Sequence, residues 1–289
     1  RYLLGSKRPY HTAPTFAPEF TRKSPSMSDK RAQELIDLGN RLFTNKLPLD
    51  QLCQEIAEQC YPERADFTVQ RTMGEDFGAH LTDSYPVLAR RELGNSFSAI
   101  LRPRNKAWFA ATANNEAIDK DAANARFLNY ITTEIRSAIY DPRTDFIGAS
   151  KMADHDFASF GQGILSVEIE PTRKHLFIRP HHFRDCAWLE NELAVVDHLH
   201  RKDRMTARQM KRKFGEKHLA EEVKKACEKE PNKEFDLRVI VMPADEYDYT
   251  GKDSRAEGSK GRKGAKLPFT IVYIDVANAK VLRETGLHD

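Results

Sequence analysis

The feature that most constrains this fold is a change in the spacing of apolar residues near residue 160. Before that point, apolar side chains recur every three or four residues, which places them on one face of an α-helix. From Gly163 onward they alternate with polar residues in short runs, as in half-buried β-strands. We therefore expect an α+β fold, with a helical region at residues 29–162 and an α/β region of short antiparallel strands at residues 163–289.

The spacing predicts five helices in the first region. The first begins at Asp29, and a second follows Pro48 and ends at Pro62. The other three are expected at residues 86–101, 117–139 and 148–160, the last closed by Gly161. The apolar face of the fourth helix is expected to point inward, with Ile118, Phe127, Leu128, Ile131, Ile135 and Ile139.

The second region is expected to mix strands with two helices. A capping box, in which Thr206 and Gln209 bond each other's backbone, should open a helix that Gly215 closes. A charged helix is expected at residues 217–228. The strands are expected at residues 163–168, 175–179, 186–190, 194–201, 235–242, 269–276 and 280–284, with a turn at Ala277-Asn278 joining the last two.

The first 28 residues differ in composition from the rest of the chain. Residues 1–28 contain four prolines and five basic side chains against one acid, so we expect a Pro-rich basic arm that becomes ordered only when a neighbour holds it.

Composition excludes several classes of protein. The whole chain has 46 basic and 43 acidic residues, a net charge of +3, which is too low for a histone-like DNA-coating protein. No run approaches the roughly 20 apolar residues of a membrane span. The four scattered cysteines suit buried thiols in a reducing cytoplasm.

One group of histidines has the residue types of a metal site. His198 and His200 would share a face of a strand, so that two imidazoles could meet one ion. No CxxC or HExxH spacing supplies further ligands, and polar histidines on a solvated strand explain the pattern equally well. We expect no metal. The other residues of this group are Asp197, Asp203 and the pair His181-His182.

Asp154-His155-Asp156 has the composition of an acid–base group. Three consecutive residues of a helix point to different sides, however, so we expect them to form a solvated turn rather than a site. No Ser-His-Asp or Cys-His arrangement can be assembled either. We therefore expect no catalytic residue, no cofactor and no enzyme activity.

The segment 251–266 is strongly basic and contains four glycines. It lacks the Gly-Lys-Ser/Thr order of a phosphate-binding loop, and a strand rather than a helix follows it. We expect a mobile loop between two strands, and contact with DNA phosphates, solvation and subunit contact all remain open. Residues 202–213 are expected to form a basic helix, which is compatible with DNA reading but is better explained by docking on the sheet through Met205, Met210 and Phe214. The candidate DNA contacts in the loop are Lys252, Arg255, Lys260, Arg262, Lys263 and Lys266.

From about Asp29 to its end, the chain resembles the podovirus head-to-tail connector, or portal, family. The likeness rests on an ordered series of segments. These are residues 54–67, with Tyr61-Pro-Glu-Arg-Ala-Asp-Phe67; residues 81–93, leading into a helix; Arg102-Pro-Arg-Asn-Lys-Ala-Trp-Phe109; residues 157–168; and residues 188–201, continued by Arg204-Met-Thr-Ala-Arg-Gln-Met-Lys-Arg-Lys-Phe-Gly215.

The resemblance implies a structural subunit in a ring of twelve at one capsid vertex, through which double-stranded DNA is packaged and ejected. Its implied partners are the major capsid protein, the large terminase during packaging and the tail adaptor proteins. Its implied location is the virion, after assembly in the host cytoplasm. The resemblance also implies that residues 163–289 form a wing-like region. Because family members are longer, their stem, clip and crown would lie beyond the C-terminal end.

Two expectations concern packing and assembly. Trp108, Phe109 and Trp188 either join the helical region to the α/β region or sit in separate local cores. Inter-subunit contacts are expected at Arg90, Arg91 and Glu92. The rival functions are a DNA-binding head-completion or tail adaptor protein, which would depend on the basic loop, and a metal-dependent nuclease using His198 and His200.

Overall fold

A computed structural model describes residues 27–72, 74–76, 78, 81–103, 106–113, 115, 119, 121–169, 175–244, 246–247 and 268–287. The basic loop 251–266 and nearly all of the expected arm lie outside these residues. Met27 and Ser28, which were assigned to the arm, instead begin the first helix.

The described chain is helical up to residue 160 and rich in antiparallel strands from residue 164, which confirms the α+β class. Short 3-10 turns lie at Pro62–Arg64, Phe183–Asp185 and Glu216–His218. The helices are α1 (Met27–Cys60), α2 (Tyr85–Leu101), α3 (Ala122–Ile139), α4 (Phe146–Phe160), α5 (Ala207–Phe214) and α6 (Glu221–Lys229). The strands are β1 (Ile164–Ile169), β2 (Leu176–His181), β3 (Cys186–Glu190), β4 (Val196–Thr206), β5 (Glu234–Pro243), β6 (Phe269–Asp275) and β7 (Lys280–Leu287).

The expected break at Pro48 is wrong, because α1 runs through it as one helix. A proline inside a helix removes one hydrogen bond and costs about 3 kcal/mol. Buried contacts on both sides of the proline offset that cost. The buried ion pair of Lys46 with Asp50 spans it at 3.0 Å, and Lys46 also donates to the carbonyl of Cys186 at 2.9 Å.

Strands β3 to β7 form one five-stranded antiparallel sheet in sequence order. The side chains of β5 alternate between its two faces. Leu237 and Val239 pack with Met210, Phe214 and the other apolar residues of α5 and α6. On the opposite face, Ile240 joins Val272 and Ile274 beneath Leu35 and Ile36 of α1. The sheet is therefore covered on both sides.

A smaller layer contains the β1–β2 hairpin, α2 and α4. The amide of Ile178 in β2 donates to the carbonyl of Thr144 at 3.0 Å, just before α4. A cluster around Phe183, with Cys53 and Ala57 of α1, joins this layer to the large sheet. Trp188 packs against the same cluster and lies at the junction of the two regions. Trp108 instead stays local, where its indole N–H donates to the Tyr140 hydroxyl at 2.9 Å.

The segment after β4 differs from expectation in one respect. Residues 202–206 continue the strand instead of starting the basic helix, which occupies only Ala207–Phe214. The capping box between Thr206 and Gln209 is confirmed. Met205, Met210 and Phe214 lie in the sheet's apolar core, which confirms the predicted docking.

Candidate functional surfaces

The Asp154-His155-Asp156 segment was expected to form a solvated turn, and this is wrong, because all three residues are buried. Asp156 accepts two hydrogen bonds from Arg64, at 2.8 and 3.2 Å, and Asp154 pairs with Arg102. Burial raises the pKa of the Asp156 carboxyl and lowers the pKa of the His155 imidazole. The three residues therefore diverge, as expected, and attach α4 to its neighbours.

His155 fits closely against a glycine of α2. A Cβ atom built on Gly94 would lie 2.2 Å from the His155 Nδ1 atom, so no larger residue fits there without movement. The distance between helices α2 and α4 at this point therefore depends on Gly94. Sequence reasoning missed this contact, because nothing in the local pattern distinguishes one helical glycine from another.

The histidines near β4 do not converge on an ion. His198 Nε2 lies 2.8 Å from Glu246 Oε2, and His182 Nε2 lies 2.8 Å from Asp66 Oδ1. Among the residues that the structure describes, no three His, Cys, Asp or Glu side chains are grouped to hold a metal. The solvated strand face expected for His198 and His200 is also wrong, since both are buried.

His200 is fully buried beneath α1. A Cβ atom built on Gly39 would lie 2.7 Å from His200 Nδ1 and 2.9 Å from Arg238 Nη1, so only glycine allows this close approach. Burial, with the charges of Arg238 and His198, lowers the pKa of His200 to about 4. The imidazole is therefore neutral at neutral pH.

The three expected subunit-contact residues lie in different surroundings. Arg90 is buried within the chain, where its guanidinium lies 3.8 Å from the centre of the Tyr61 ring and its Nε donates to the carbonyl of Cys60 at 3.2 Å. Arg91 and Glu92 are exposed. Arg90 therefore has an internal role in fixing α2 to the end of α1, and subunit contact at Arg91 and Glu92 stays a prediction.

A broad groove of about 1180 Å³ lies between α1, the segment 66–71, and strands β4 and β5. Five carboxylates line it, and each has a cationic partner. Asp50 pairs with Lys46 at 3.0 Å, Asp66 and Asp185 pair with Arg184 at 2.6 and 3.0 Å, Asp203 pairs with Arg201 at 3.8 Å, and Asp236 pairs with Arg204 at 3.0 Å.

Two cations in the groove have no such acidic partner among the described residues. Lys202 and Arg238 are direct neighbours across β4 and β5, on the face below α1. Lys202 Nζ lies 4.0 Å from the centre of the Phe43 ring, and the Arg238 guanidinium carbon lies 4.8 Å from it. Burial lowers the pKa of Arg238, and burial together with the charge of Arg238 lowers the pKa of Lys202.

Sequence reasoning missed this pair because it assigned Lys202 to a helix. The alternation of His198, His200, Lys202 and Arg204 was the available signal, since polar residues at every second position share one face of a strand.

Helices α3 and α2 expose several apolar side chains. None of the described side chains of α3 is buried, and Phe127 and Tyr130 are 61% and 62% exposed. Helix α2 exposes Ile100 and Leu101 as well. The inward face expected for α3 is therefore wrong for Phe127 and Ile135, which are exposed, whereas Leu128, Ile131 and Ile139 are half-buried. Ile118 lies outside the described residues. Contiguous exposed apolar patches mark interaction surfaces.

The six candidate DNA contacts of the basic loop lie outside the described residues, so that expectation stays a prediction. Within the described part of the chain, no helix is long and apolar enough to cross a membrane.

Comparison with protein-family models gives one finding. Residues 32–289 match the model described as "Bacteriophage head to tail connecting protein". The match includes α1 from Ala32 onward, the helical layer and the whole five-stranded sheet, so it covers both regions of the fold. A search of curated proteins found no match.

Proposed function

Because the chain belongs to the family of bacteriophage head-to-tail connecting proteins, we propose that it is a structural subunit of a ring at one capsid vertex, a dodecamer through which genomic DNA is packaged and ejected. The observation that carries the proposal is the family match over residues 32–289. The proposed partners are the major capsid protein, the large terminase and the tail adaptor proteins. The subunit's proposed role is assembly rather than catalysis.

The exposed apolar side chains of the helical region support this role. Heterologous contacts between identical subunits close into a ring when the rotation between neighbours is correct. Such contacts bury apolar area that an isolated subunit leaves open. The exposed side chains of Phe127 and Tyr130 on α3 and of Ile100 on α2 offer such area. We propose that these side chains contact the next copy. Subunit contact at Arg91 and Glu92 is a separate prediction, because nine residues of helix place Arg91 on the opposite side of α2 from Ile100.

Electron microscopy of the purified chain in negative stain tests the proposal directly. We expect annular particles, and a sedimentation coefficient far above that of a 33.1 kDa monomer. Replacing Phe127 and Tyr130 with serine should shift the distribution towards monomers, because both side chains would lose apolar contacts at the interface.

The matched control is Leu193→Ser, which removes a side chain that is similarly exposed at the β3–β4 turn. It should leave the rings intact. A wild-type chain that remains monomeric at micromolar concentration would contradict ring assembly. Rings that persist in the Phe127 and Tyr130 double variant would instead contradict only the assignment of the surface.

A further inference from the structure

The cross-strand pair of Lys202 and Arg238 places two positive charges side by side. Like charges directly opposite each other in an antiparallel sheet are destabilising, whereas opposite charges are favourable. The next pair on the same face obeys that rule, because Arg204 faces Asp236 and donates to it at 3.0 Å. Lys202 and Arg238 are therefore an unfavourable arrangement in the middle of two well-formed strands.

The surroundings of the pair offset this repulsion only in part. The shared contact with the Phe43 ring is a cation–π interaction, and Asn40 Oδ1 accepts one hydrogen bond from Arg238 at 3.1 Å. Arg238 is only 4% exposed, and its Nε and Nη1 atoms are buried with no hydrogen-bond partner in the described part of the chain. A buried guanidinium in this state is costly unless a negative group comes close.

The carboxylates already in the groove do not supply that negative group. All five are engaged by Lys46, Arg184, Arg201 or Arg204. Lys202, in contrast, is exposed, so its ammonium group can reach a ligand that enters from solvent. The groove thus combines one accessible cation with a second, fixed positive charge beneath it.

We propose that this groove binds an acidic peptide segment, with one side-chain carboxylate held by Lys202 and stabilised by the charge of Arg238. Charge-assisted hydrogen bonds between an ammonium group and a carboxylate are short and strong. The groove also offers apolar contacts at Phe43, Leu47 and Val69, which suit the neighbouring side chains of a peptide.

The charge distribution favours a peptide over DNA. A duplex carries one negative charge per roughly 1.7 Å of its length, so it would bring several phosphates against the five carboxylates of the groove. A peptide can place a single carboxylate between them. The volume of about 1180 Å³ accommodates several residues of extended chain.

Fluorescence anisotropy at low salt tests the site, with a labelled, end-capped pentapeptide that carries one central glutamate between alanines and leucines. We expect saturable binding to the wild-type chain, and an affinity reduced roughly tenfold by Lys202→Gln. Lys202→Arg keeps the charge and should restore most of the binding. The matched control is Lys225→Gln on α6, an exposed lysine at the opposite face of the sheet, which should bind as the wild type does.

Three outcomes would overturn the proposal. The first is equal affinity of the wild type and Lys202→Gln. The second is a loss confined to a basic-loop variant, Lys260→Gln with Arg262→Gln, which would place peptide binding on the loop. The third is binding of a short DNA duplex, but not of the single-glutamate peptide, that depends on Lys202, which would make the groove a DNA site. None of these outcomes depends on ring assembly, so the two proposals succeed or fail separately.

Discussion

The two faces of the five-stranded sheet use the same strands for different purposes. The face covered by α5 and α6 is mainly apolar, with Leu237 and Val239 against the buried side chains of both helices. Two charged residues of β4 on this face, Arg201 and Asp203, pair with each other. The face below α1 is apolar at one end, around Ile240 and Ile274, and charged at the other, where Lys202 and Arg238 lie. Alternate residues of β4 and β5 produce both surfaces.

This difference separates the residues that stabilise the fold from those available to a partner. Burial of apolar area contributes about 25 cal/mol per Å² and needs no ligand. Buried charges without partners lower stability, and proteins retain such arrangements most often at functional sites. The α5–α6 face is therefore the stabilising face, and the α1 face carries the candidate site.

The largest expected effect is on the apolar face. Leu237 is 1% exposed, and Leu237→Ala should lower the free energy of unfolding by about 3 kcal/mol, because it removes buried methyl groups and leaves a cavity. Urea unfolding followed by circular dichroism measures this loss. A loss below about 1 kcal/mol would mean that the face is loosely packed, and the contrast between the two faces would fail.

The second prediction concerns pH and the charged face. The pKa of His200 is lowered from 6.5 to about 4 because the imidazole is buried beside Arg238 and His198. Between the unfolded-state pKa of 6.5 and the folded-state pKa of about 4, the unfolded chain binds a proton at His200 that the folded chain excludes. The free energy of unfolding therefore falls as the pH is lowered through this range. At pH 5 the stability should be about 2 kcal/mol lower than at pH 7.5 on account of this group alone.

His200→Gln should reduce the pH dependence of the free energy of unfolding, whatever its effect on stability at pH 7.5. His218→Gln, at an exposed position, is the control and should leave the pH dependence unchanged. His181, whose pKa is also lowered to about 4 by burial and by Arg201 and Arg179, should account for the part that remains. An unaltered slope in His200→Gln would show that the imidazole is not buried in a neutral form.

The smallest expected effect is a gain in stability on the α1 face. The Thr270 hydroxyl is buried and has no hydrogen-bond partner among the described residues. Thr270→Val replaces it with a methyl group of similar size, so the free energy of unfolding should rise by about 1 kcal/mol. Thermal unfolding measures the change, and a lower melting temperature would show that the hydroxyl is satisfied after all.

Local signals predicted the elements of the fold well. The capping box at Thr206 and the glycine at position 161 depend only on nearby residues, so helix ends could be placed from the sequence. Pro48 misled the same reasoning, because the buried pair of Lys46 with Asp50 and the contacts of Lys46 with the turn before β3 are tertiary. The sequence therefore predicted which segments are helices and which are strands, but it did not predict that α1 continues through Pro48.

The candidate site was less predictable. Burial of His155 and His200 depends on glycines 61 and 161 residues away in the chain, Gly94 and Gly39 respectively. The apolar face of α3 predicted a core position, whereas Phe127 is 61% exposed. Periodicity identifies a face that prefers to be covered, but it does not tell whether the cover comes from the same chain or from another.

The continuous course of α1 has a mechanical consequence. A helix of 34 residues is about 50 Å long, and Leu35 near its start is anchored in the sheet while Ala57 near its end is anchored beside Phe183. We therefore expect α1 to connect the strand-rich and helical layers rigidly, so that the two layers tilt together. A force applied at one end of the helix would then reach the other end.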